Sequence, residues 1–202
     1  MSFIKTTSAG EANGDVYDMY ARQQGRWGYV PNYAKIFCYR PELMKLWADL
    51  LAGIRSNIAP REFELATLST AHALKNSACS LAHSQQLLKF YSVEEVVALV
   101  TGDDCSGLSE QARAIATFSR KAATNAPGIT VEDVETLRRA GLKEAEIFDV
   151  AITVAARAFF TTLLDTLGVE PDAATEEMDE RLRQAMVVGR KIATDAPEIL
   201  TA

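Results

Sequence analysis

The period of its apolar residues constrains this chain more than anything else in it. From Leu43 onward they recur at steps of three and four, and nowhere do apolar and polar residues alternate for long enough to make a half-buried strand. The residues between them are rich in alanine, leucine, glutamate, lysine and arginine, which lose little on entering a helix. The chain reads as all-α. Pro41-Glu42 opens a segment over 43–56 in which Leu43, Leu46, Trp47, Leu50, Leu51 and Ile54 share a face. Pro60 opens the next, and residues 62–75 are too apolar for a surface helix, which puts them at the centre of the core. A third helix is expected over 77–90, and Ser92-Val-Glu-Glu95 is a capping box for a short one to Val100.

The turn-rich stretch 101–107 reads as a joint between two helical lobes that share one core. Beyond it, helices are expected over 109–124, from Thr130, over 142–167 and, as a last charged one, over 175–193, with Gly141 and Gly168 at helix ends. The longest apolar stretch, 150–167, is interrupted by Arg157 and Asp165, so it is read as a buried core helix and no membrane is expected as a partner. Lysine plus arginine number 21 against 27 aspartates plus glutamates, a net charge of −6, so there is no cationic excess to neutralise nucleic acid. Residues 1–18 lack the apolar stretch of a signal peptide. The three cysteines, Cys38, Cys79 and Cys105, have no framework spacing. Free thiols in the cytoplasm are therefore expected.

Reactive side chains concentrate between Glu64 and His83, where both histidines of the chain lie. Cys79 and His83 are four apart, on one face of a helix. Asn76 is a natural N-cap for the amide of Cys79, which would set the sulfur in the first turn. There the helix dipole and an imidazolium would both favour thiolate, making Cys79 the most reactive of the three thiols. Such a pair also arises by packing alone, since cysteine is among the most buried residues, so these residues by themselves leave a reactive and an inert thiol both open. Structural zinc needs four ligands, and only Cys79, His83, His72 and Glu64 are near, so neither metal nor cofactor is expected. His72, two turns after Glu64, reads as a half-buried histidine bonded to a backbone group.

The run P-R-E-F-E-L-A-T-L-S-T-A-H-A-L-K-N-S-A-C-S-L-A-H-S-Q-Q-L-L-K resembles the core motif of the carboxymuconolactone decarboxylase and alkylhydroperoxidase D superfamily: a glutamate, a C-x-x-C twelve residues on, and a histidine four after the second cysteine. Glu64, Cys79 and His83 match three of these positions, and Asn76 stands where the first cysteine would be. W-G-Y-V-P-N-Y (27–33) and Y-R-P-E-L (39–43) resemble the upstream segment of the peroxidase-related branch, and A-A-R-A-F-F-T-T-L-L-D-T-L-G-V (155–169) its closing helix. The resemblance spans about 25–172, leaving 1–24 as an N-terminal extension and 173–202 as a C-terminal helix and tail.

The resemblance implies an alkylhydroperoxidase D-like helical fold assembled as dimers, trimers or hexamers, of which a homo-oligomeric trimer or hexamer is expected here before a dimer, and a thiol that attacks a hydroperoxide. In that reading Cys79 is the nucleophile, His83 the base and then the acid, and Glu64 the group that orients His83. With Asn76 in place of a resolving cysteine, the oxidised sulfur would have to be recycled by an external thiol, or by Cys38 or Cys105. A cofactor-free acid–base enzyme acting on a carboxylated lactone is the alternative, favoured if Arg22, Arg26 or Arg61 forms an anion pocket. A binding oligomer without turnover is the third. The apolar helices and the aromatics Trp27, Tyr29, Tyr33 and Trp47, taken as exposed, add to the expectation of assembly.

Overall fold

The computed structural model describes residues 2–102 and 107–200, among which there are helices and no strand. In chain order these are α1 (Gly14–Trp27), α2 (Asn32–Lys35), α3 (Pro41–Arg55), α4 (Pro60–Ala73), α5 (Ser77–Leu87), α6 (Val93–Thr101), α7 (Glu110–Asn125), α8 (Val131–Arg139), α9 (Glu144–Thr166) and α10 (Glu180–Met186). Helix α4 is central, packing against α5, α7 and α9. Every residue from Phe63 to Ala71 is buried. Its small members, Ala66, Ser69 and Ala71, allow three neighbours to approach one axis closely. Helix α9 has the length and apolarity of a membrane span, but it packs against α3, α4, α7 and α8.

Local chemistry sets most boundaries. Pro41 and Pro60 occupy the first positions of α3 and α4, where a missing N–H costs nothing. Ser92 with Glu95 and Thr130 with Asp133 form capping boxes on α6 and α8. Gly141 and Gly168 take left-handed φ values of 95° and 74° just past α8 and α9. Each sits in a Schellman motif, the Leu142 amide donating to the Leu137 carbonyl and the Val169 amide to the Leu164 carbonyl. The same motif ends α4 without glycine: Lys75, at φ 59°, donates to the His72 carbonyl and Asn76 to that of Ala71.

The expected charged helix over 175–193 is far shorter. Only Glu180–Met186 is α-helical, capped by the Asp179 carboxylate on the amides of Arg181 and Leu182. The chain then leaves helical geometry because Gly189 comes against the start of α5, its amide donating to Ser77 Oγ at 2.9 Å. Helix α1 is not evident from the sequence pattern; its first turn has few apolar residues, and it is held by the buried Met19 and Tyr20. Described residues near either end are tied to the rest of the fold: the Phe3 amide donates to the Leu167 carbonyl (2.7 Å) and the Val30 amide to that of Glu198 (2.8 Å). Four residues of the expected joint, 103–106, with Cys105 among them, lie outside the described residues.

Candidate active site

The turn between α4 and α5 builds the site. Asn76 is extended (φ −91°, ψ 103°) and its Oδ1 accepts from the Cys79 amide at 2.8 Å, so the cap is where the sequence puts it. Cys79 is thereby fixed at the third helical position, with His83 one turn on. Glu64, on the neighbouring face of α4, accepts from His83 Nδ1 at 2.5 Å through one carboxylate oxygen and from Arg55 Nη2 at 3.0 Å through the other. The three residues Glu64, Cys79 and His83 thus line one cavity of about 310 Å³, enclosed by α1, α3, α4, α5 and α9.

Protonation in this group follows from burial and charge. Burial opposes ionisation of Glu64, but His83, Arg55 and Arg157 together outweigh it and hold the carboxyl below the usual carboxylate range. Burial, seconded by the Arg157 charge, holds the His83 imidazole below its ordinary value despite the pull of Glu64. At neutral pH this gives an ionised Glu64 and a neutral His83 whose Nδ1 carries the proton, leaving Nε2 as an acceptor. The dyad is that of an oriented base.

The thiol differs from the expectation. Cys79 is 5% exposed, and burial pushes its thiol above the ordinary range, with Arg157 offsetting only part of the rise. Its polar partner is not an imidazolium but the guanidinium of Arg157, whose Nη1 donates to Sγ at 3.4 Å. The helix dipole of the expected account is too small to overcome desolvation here. Sequence reasoning passed over Arg157 as a charge that kept α9 out of a membrane. The usable signal was a lone arginine in the middle of the most apolar stretch, since a charge there requires a functional or electrostatic partner.

Other expected residues fall elsewhere. His72 is half-buried on α4, with Nε2 3.2 Å from the Ala185 carbonyl, the backbone partner expected of it. Cys38 accepts from the Thr7 amide (3.5 Å) and does not line the cavity. Of the proposed anion-pocket arginines only Arg26 lines it; Arg61 is exposed and donates to Gln111. The aromatics taken as exposed are turned inward: Trp27, Tyr29, Tyr33 and Trp47 all line the cavity, and Trp47 stacks on Phe160 at 4.7 Å between centroids. Asp172, also on the wall, is raised to about 6 by burial, against the opposing hydrogen bond from the Asn32 amide. Among the described residues no cluster of three or more His, Cys, Asp or Glu could hold a metal ion.

Comparison with known proteins places the fold. Residues 41–121 match the carboxymuconolactone decarboxylase family model. The fold is similar to an uncharacterised peroxidase-related protein from Ralstonia eutropha JMP134, described as an alkylhydroperoxidase AhpD core (TM-score 0.74, 20% identity, 88% of this chain and 95% of that one). It is also similar to a peroxidase-related protein from Silicibacter sp. TM1040 (0.75, 18%, 88% and 95%). A third similar structure is a cysteine-to-alanine variant of the debrominase Bmp8 in complex with 2,3,4-tribromopyrrole (0.70, 16%, 92% and 100%). No curated protein matches the chain in sequence.

Proposed function

This chain belongs, through residues 41–121, to the carboxymuconolactone decarboxylase family, and from that premise we propose that it is an alkylhydroperoxidase-like thiol oxidoreductase working through the single cysteine Cys79. The observation that carries this is one cavity in which a buried thiol, hydrogen-bonded by a cation, shares a wall with a Glu64–His83 dyad. The substrate is a small or organic hydroperoxide. His83 Nε2 takes the thiol proton while Arg157 stabilises the sulfur as it gains charge. The sulfur attacks the terminal peroxide oxygen; the S–O bond forms, the O–O bond breaks, and the leaving alkoxide takes the proton back from His83. The products are a Cys79 sulfenic acid and an alcohol. Two equivalents of an external thiol then restore Cys79, yielding one disulfide and one water. No cofactor enters, and the free thiols of Cys38 and Cys79 suit a reducing, cytoplasmic setting.

The test is to add cumene hydroperoxide to the reduced protein and read the intact mass. One oxygen per chain, trapped by dimedone at Cys79 and lost in Cys79→Ser, is expected. An unoxidised Cys79 under excess peroxide sinks the proposal. A second reading is favoured by the fact that the dyad is complete without the thiol and that Arg26, Arg55 and Arg157 all line the cavity. In that reading His83 moves protons on a carboxylated lactone. Its mark is turnover of such a lactone that survives Cys79→Ser and is lost in His83→Ala; a protein inert in both assays is a binding oligomer.

A further inference from the structure

Arg157 is 4% exposed, and among the described residues its one hydrogen-bond acceptor is the Cys79 sulfur. Its Nε is buried without a partner. Glu64 lies close enough for each to feel the other's charge, but its two oxygens already accept from Arg55 and His83. With the thiol held in its neutral form, the guanidinium is a buried cation with a spare donor and no carboxylate bonded to it. Both states are costly, and because Arg157 lines the cavity, a negatively charged acceptor bound there relieves the uncompensated charge.

The surroundings of that cation are flat and aromatic. Phe160 lies 5.6 Å from the guanidinium and stacks on Trp47 with 3° between the planes. The Trp27 indole N–H donates to the Tyr33 hydroxyl (2.9 Å), which donates to Gln23 (2.6 Å). The polar ends of this wall are thus engaged with one another, and its rings are held in place. The cavity, about 310 Å³, lies at the small end of the range for small-molecule sites, roughly 300–1,000 Å³. Ring faces of this kind accept a planar π-system better than a puckered one. The acidic residues Glu170 and Asp172 also line the cavity, but they follow α9, and Asp172 already accepts from the Asn32 amide.

We propose that the ligand this cavity selects is a planar aromatic molecule bearing an anionic group, the ring between the aromatic walls and the negative charge on Arg157 beside Cys79. This names the substrate class of the proposed site and rests on that cavity being the substrate site. Within the hydroperoxides, those built on an aromatic acid are then preferred over hydrogen peroxide.

Both tryptophans of the chain line the cavity, so its filling can be read from their fluorescence as well as by calorimetry. The probes are 2-naphthoate, the neutral 2-naphthalenemethanol and the puckered cyclohexanecarboxylate, added to reduced protein without peroxide. Expected is one naphthoate per chain, bound at least tenfold tighter than either other probe and quenching the tryptophans. Arg157→Met should equalise naphthoate and the alcohol, and Arg157→Lys should keep a preference for the anion. Equal binding of naphthoate and the alcohol by the wild-type protein, or no naphthoate binding at millimolar concentration, overturns the proposal even if Arg157→Met does not fold. Naphthoate binding without peroxide oxidation of Cys79 would remove the peroxidase reading and leave this one. Oxidation without a preference for the anion would do the reverse.

Discussion

Asn76 stands where the motif this chain resembles has its first cysteine. It caps α5, so it is a structural asset in the place of a redox partner. Asn76→Cys should cost about 1–2 kcal/mol through the lost cap and place two thiols in a C-x-x-C at a helix start. We expect a disulfide between the introduced thiol and Cys79 in that variant, seen as a two-dalton mass loss, and dithiol-dependent peroxide turnover absent from the parent. A disulfide without turnover would mean that the Glu64–His83 dyad does not move protons for the sulfur. The dyad has its own test in pH dependence. The base form of His83 is needed, so activity should fall as pH drops through a value below the ordinary histidine pKa. Glu64→Gln removes the one nearby charge that favours the imidazolium. The acid limb should therefore move to still lower pH while the rate at pH 7 drops by about 10²-fold, measured as kcat/KM against pH.

Among the elements, the α4–α5 corner carries the strain. Lys75 is the one non-glycine with positive φ among the described residues, and a Cβ on Gly189 would stand 2.0 Å from the Lys75 carbonyl oxygen. Gly189→Ala has no side-chain tip to push aside, only backbone. It should destabilise the protein by about 3 kcal/mol in urea unfolding and loosen the cap that seats Cys79. Lys75→Gly relieves the left-handed strain at some cost in chain entropy and should gain about 1 kcal/mol. A Lys75→Gly protein no more stable than its parent would show that the corner is relaxed as it stands. The elements themselves were largely legible in the sequence, because prolines, capping boxes and glycines act over three or four residues. The expected last helix failed for the opposite reason. What stops it after Met186 is the packing of Gly189 on Ser77, more than a hundred residues away.

For the whole molecule, the prediction is association. Leu43, Leu46 and Leu50 are 49%, 60% and 47% exposed along one face of α3, and the exposed Phe159 packs beside them on Trp47 at 5.8 Å. An apolar stripe of this kind is costly to leave in water. We expect a homo-oligomer, trimer or hexamer before dimer, that Leu46→Glu dissociates; a light-scattering mass near 22.1 kDa for the unmodified protein at micromolar concentration would refute it.

The sequence by itself determined the helical class, the positions of Cys79, His83 and their cap, and the match to the family motif, since all of these rest on spacings within about twenty residues. Only the tertiary structure decided the electrostatics. Whether Cys79 is a thiol or a thiolate depends on how deeply α5 is buried, and its counter-charge comes from Arg157, seventy-eight residues on. Likewise, Trp27 and Trp47 are surface aromatics or cavity walls according to how α3 packs on α9 and α1 on α3. Desolvation and charge act through space, and the chain order of the residues does not record those distances.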